Sequence, residues 1–215
     1  MFSFKGVCLY LYVVQNLQFA NAGFDVLKRE PGVVYQKGND SSTKFEVFID
    51  LMCSQSKAVF PALKNVANYY GPERLELIFH LFPLAFFRNS HKVTKGALIV
   101  HELSHGGKTN DWIESIFGAF DELTNYATNN KTEIEIMRQL ADIAEELGIN
   151  RSTFYNQLTS SGDAEKSARM VHRYGCSRAV LTVPTFYING FQVPATHTWT
   201  AEQFQKEIDD IYEKR

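Results

Sequence analysis

The sequence predicts an α/β fold with a helical insertion, and three observations predict it: an early strand–helix–strand pattern, a long central stretch of helical periodicity, and a late hairpin followed by a helix. From Lys44 to Leu51, Phe45, Val47, Ile49 and Leu51 alternate onto one face, and Phe48 on the other implies a strand covered on both sides. Helical spacing follows, with Ala58, Ala62, Val66 and Tyr70 on one face beside Val59, Leu63 and Ala67, until Gly71-Pro72 stops it. A second strand spans Arg74 to Leu81, with Leu75, Leu77, Phe79 and Leu81 alternating. The three elements form a βαβ unit.

Residues 89–174 carry mostly helical patterning, too much for a loop, and predict an inserted helical subdomain. Its clearest helix runs from Glu133 to Leu147: Thr132 and Glu135 form a capping box, Ile136, Leu140, Ile143, Ala144 and Leu147 make an apolar stripe, and Gly148 suits the C-terminal cap. Trp112, Ile113, Ile116, Phe117 and Phe120 mark another helix and read as subdomain core. Strand character returns at Thr185 to Ile188, an Asn189-Gly190 turn and Phe191 to Val193. The last helix opens on Thr200 and Gln203 and buries Phe204, Ile208 and Ile211.

At the N-terminus, Lys5, the apolar run Gly6 to Val14 and the small residues Ala20-Asn21-Ala22 occur in the order of a secretory signal peptide, residues 1–22. Val7, Leu9, Leu11 and Val13 also alternate, so a buried strand is the alternative. The run is too short for a membrane span. Residues 23–43 are then an N-terminal segment and 44–215 the folded domain. Cleavage would remove Lys5 and Cys8, taking the net charge from −2 to −3 and leaving Cys53 and Cys176, too few for a disulfide scaffold. A secreted or endoplasmic reticulum lumenal protein is expected, and Asn39, Asn130 and Asn150 open glycosylation sequons. Charge is balanced along the chain, without the clustered Lys/Arg run of nucleic-acid binders.

Two segments carry the chemistry. Cys53-Ser54-Gln55-Ser56 opens the first helix, where N-terminal amides favour a thiolate, and Lys57 adds positive charge. Ser56 stands where a dithiol motif has its second sulfur, so no disulfide closes within the motif; its hydroxyl is expected to donate to Cys53. Thr182-Val183-Pro184-Thr185 precedes the late hairpin. With the element order, and with Pro61 eight residues after Cys53, these motifs resemble the DsbA-type thioredoxin-like fold over about Lys44 to Tyr212, in a single-thiol Cys-x-x-Ser variant.

The resemblance implies that Pro184 is a cis-proline facing Cys53 and that the backbone of Val183 and Thr185 pairs with an extended substrate or glutathione. Cys53, Ser56 and Pro184 would then serve thiol–disulfide exchange with protein or peptide thiols and disulfides, without a bound cofactor and with glutathione as co-substrate. A non-catalytic peptide- or glutathione-binding module is the alternative. Where many relatives carry a buried acid, six residues before the cysteine, this chain has Val47; Glu46 and Asp50 fall on the opposite strand face. Cys176 reads as a buried apolar cysteine, with a resolving thiol as the alternative.

One motif competes. His101-Glu102-Leu103-Ser104-His105 matches H-E-x-x-H, which on a helix sets two histidines for zinc, and Asp111 falls where a third ligand occurs. Gly106-Gly107 should end that helix, and Lys108 replaces the glycine of the extended motif, so no metal site is expected. His80, His91, His172 and His197 have no ligand spacing and read as surface or hydrogen-bonded structural residues.

Overall fold

The computed structural model describes residues 31–213; the signal-peptide reading, with Lys5 and Cys8, lies outside them. In chain order the elements are β1 (Val33–Gln36), β2 (Thr43–Ile49), α1 (Ser54–Tyr70), β3 (Leu75–Leu81), α2 (Ser90–Leu103), α3 (Thr109–Gly118), α4 (Phe120–Leu123), α5 (Glu133–Glu146), α6 (Arg151–Thr159), α7 (Asp163–Ser177), β4 (Thr185–Ile188), β5 (Phe191–Val193) and α8 (Ala201–Glu213).

Among the described residues five strands make one sheet in the order β1-β3-β2-β4-β5. β2 and β3 are parallel, as the crossover through α1 requires, and the other pairs are antiparallel. β1 is an addition to the predicted order. It pairs Val33 with Phe79 and Val34 with Ile78 at the sheet edge.

Strand alternation divides the sheet into two faces. Phe45, Val47 and Ile49 of β2 point toward α1 and α8, where they join Leu63, Val66, Phe186, Phe204 and Ile208 in the main core. That core runs on into the insertion through Val93, Trp112, Ile136 and Leu140, so the inserted helices share one apolar interior with the sheet. Thr132 and Glu135 form the capping box of α5 in both directions, and Asn189 and Gly190 take the positive φ values of 49° and 84° that close the hairpin.

Glu46, Phe48 and His80 point the other way, toward α7. A smaller cluster gathers there from Phe48, Cys53, Phe82, Val180, Val183 and Tyr187. Gly175 lets α7 approach it: a Cβ at that position would lie 2.3 Å from a Phe82 ring carbon.

Candidate active site

Cys53 is the N-cap of α1, in extended conformation, with the first helical amides beside it; Lys57 N–H donates to its carbonyl. The Val183–Pro184 peptide bond is cis, and Cys53 Sγ lies 3.7 Å from the Val183 carbonyl oxygen. Residues 130 apart in sequence thus face each other. Cys53 is 6% exposed. Val183 and Thr185 are also buried, and the Thr185 hydroxyl donates to Thr182 O at 2.6 Å.

Ser56 departs from expectation. Its side chain is fully buried and its hydroxyl oxygen accepts from Asp50 N–H at 3.3 Å rather than serving Cys53. The first turn of α1 folds back over the end of β2, which brings Ser56 against the strand instead of the thiol. Lys57 likewise turns aside, 3.9 Å from Asp121 and over the Phe120 ring.

Asp50 is the residue whose role the sequence did not disclose. It is completely buried, and its carboxylate receives Met52 N–H and Leu84 N–H at 2.8 Å each, while Ser90 Oγ sits 2.6 and 2.7 Å from its two oxygens. Its carbonyl accepts from Cys53 N–H at 3.0 Å. Burial raises its pKa above the ordinary carboxylate value, against the opposing effect of those hydrogen bonds. Asp50 therefore ties the cysteine loop, the β3–α2 loop and the start of α2 together. Ser90, forty residues away, is the partner no local pattern announces.

On the same face Glu46, also buried, meets His80 Nε2 at 3.0 Å and accepts from Arg178 Nη1 at 3.4 Å. Burial works to raise the Glu46 pKa, but His80, Lys44 and Arg178 together hold it below its ordinary value. Phe48 stacks on His80 at 4.6 Å and belongs to the cluster that contains Cys53. His80 is thus a buried member of a polar network.

Cys176 corrects another expectation, because it is exposed. α7 buries Ala164, Ala168, Val171 and Gly175, and the next residue rotates about 100° away from that stripe. Cys53 and Cys176 are free thiols, and His172 Nδ1 lies 3.7 Å from Cys176 Sγ. The H-E-x-x-H segment does not form a metal face: α2 ends at Leu103, His105 takes a left-handed φ of 51°, His101 bonds Thr109, and Asp111 pairs with Lys108. Among the described residues no group of three or more His, Cys, Asp or Glu is placed to hold a metal.

Residues 34–210 match the family model described as thioredoxin. The chain belongs to the thioredoxin family. Among solved structures, α-DsbA1 of Wolbachia pipientis matches with a TM-score of 0.67 and 14% identity, covering 88% of this chain and 94% of its own. The thiol-disulfide exchange protein α-DsbA2 of the same organism matches with a TM-score of 0.63 and 19% identity, covering 98% and 100%. A thioredoxin-like oxidoreductase of Silicibacter pomeroyi gives 0.63 and 14%, covering 86% and 94%. These likenesses establish the DsbA-like version of the thioredoxin-like fold. No curated protein matches the sequence. No helix among the described residues is long and apolar enough to cross a membrane.

Proposed function

We propose that this thioredoxin-family chain carries out thiol–disulfide exchange through Cys53, by way of mixed disulfides with protein or peptide partners in a secreted or endoplasmic reticulum lumenal setting. One observation carries the reading: Cys53 occupies the N-cap position of a helix and its sulfur faces the carbonyl beside Pro184 at 3.7 Å. The Cys53 thiolate attacks one sulfur of a partner disulfide. A new Cys53–partner S–S bond forms, the partner's own S–S bond breaks, and the second partner sulfur leaves as a thiolate. An external thiol, with glutathione the simplest, then attacks the mixed disulfide; it becomes joined to the partner and Cys53 is regenerated. Ser56 bars the internal route because it has no sulfur.

The burial of Cys53, 6% exposed, favours a second reading: a peptide- or glutathione-binding module whose groove beside Pro184 works without exchange. Trapping separates the two. Incubation of the full chain with a peptide disulfide should yield a reducible adduct, resolved by reduced glutathione and absent in Cys53→Ala. Adduct formation undiminished in Cys53→Ala overturns the exchange reading, and peptide binding without adduct supports the module.

A further inference from the structure

We infer that the groove between the β3–α2 loop and α7 is an acidic-peptide site, which selects partner polypeptides bearing carboxylates near the cysteine that reacts with Cys53. The inference rests on the reading of Cys53 as the exchanging thiol and names the substrate class of that site.

The groove is a hollow of ≈ 430 Å³ lined in part by Leu84 and Phe87, which also pack against the Cys53 cluster. It therefore borders the cluster that contains Cys53. Its walls carry Arg88, Arg169 and Arg173 with His91 and His172, and none of its lining residues is acidic. A second hollow of ≈ 390 Å³ adjoins it through His91 and Arg169 and adds Lys92 and Lys95.

Charge bookkeeping along this trough leaves a cationic surplus. Arg88 and Lys92 share Glu133, while Lys95, Arg169 and His91 share Glu165. Two carboxylates thus serve four permanent cations and a histidine. The lowering of the Glu165 pKa to about 2, although burial opposes it, reports the same positive surroundings. Arg173 is exposed and has no hydrogen-bond or ion-pair partner among the described residues.

The chain as a whole is acidic, at −2, so this trough is a local reversal of sign rather than part of a general positive field. Two adjoining hollows suit an extended segment better than a tripeptide. Glu165 lines the second hollow, so the stretch that favours carboxylates is the first, whose lining holds no acidic residue.

The test uses a fluorescent, cysteine-free peptide of alternating Glu and Ser, and its Gln counterpart, titrated against the full chain. The Glu peptide should bind about tenfold more tightly at low salt and lose the advantage as salt rises. That preference should persist in Cys53→Ala and disappear in Arg173→Glu, with Arg169→Gln weakening it as a second probe. Equal binding of the two peptides overturns the inference. So does displacement of the Glu peptide by glutathione disulfide or by a single-stranded oligonucleotide at constant ionic strength, which would assign the trough to those ligands. Because the peptide has no sulfur, loss of trapping with binding intact defeats the exchange reading alone. Loss of binding with trapping intact defeats this inference alone.

Discussion

The two faces of one sheet differ in kind. On β2, Phe45, Val47 and Ile49 enter the main apolar core beneath α1 and α8, whereas Glu46, Phe48 and then Asp50 lie on the other face, where buried carboxylates and the small cluster containing Cys53 are found. A one-residue offset along the same strand thus separates the main packing from the chemistry. Burial drives both faces, and the buried carboxylates lie on the one where their donors are in place.

The largest expected effect breaks the apolar side. Phe45 is fully buried, with ring centroids 5.5 Å from Phe204 and 6.5 Å from Phe186. Phe45→Ala should cost about 3–5 kcal/mol of unfolding free energy, read from urea denaturation. Under conditions where the variant stays folded, adduct formation at Cys53 should survive. A parallel loss of adduct would mean that the faces are not separable.

On the chemical side, Asp50→Asn should cost less and carry a pH signature. Asn keeps one carbonyl acceptor, so one of the amides of Met52 and Leu84 loses its partner, a cost of about 1–3 kcal/mol at acid pH. The folded pKa of Asp50 is raised, so the stability that its protonation contributes is full below the ordinary carboxylate value of 3.8. It is lost as pH rises through the folded value. The advantage of Asp50 over Asn should therefore narrow with rising pH and then level off. A difference that is flat or widens with pH in paired urea titrations would remove Asp50's ionisation from the account of this face.

The same offset explains what sequence could and could not disclose. Period-two alternation marked β2 and β3, the Asn189-Gly190 turn marked the hairpin, and Thr132 with Glu135 marked α5, since each signal is local. The facing of Cys53 and the Val183-Pro184 segment came from motif order and family resemblance. β1 escaped because four residues are too few for a period, and its pairing with β3 is long-range. Ser56 points to the backbone of Asp50, and Asp50 to Ser90, through loop geometry that spacing does not encode. The cationic trough was invisible for a similar reason: Arg88 and Arg173 come from segments far apart in the chain and meet only when α7 lies beside the β3–α2 loop.

The smallest effect concerns the second thiol on the α7 side. Cys176 is exposed on the outer surface of α7, so Cys176→Ser removes no packing and should leave stability within about 0.5 kcal/mol. Its value lies in what it asks of Cys53. If an external thiol releases the mixed disulfide, adduct lifetime in the presence of reduced glutathione should be the same in Cys176→Ser as in the natural sequence. A longer lifetime in the variant would make Cys176 the resolving sulfur. It would also place the missing half of the Cys-x-x-Ser motif on α7, next to His172, whose ring stacks at 4.8 Å on Phe82 of the Cys53 cluster. In that case the polar face would hold the whole redox cycle, with the apolar face contributing only the rigidity that keeps two thiols from different segments in reach of one partner.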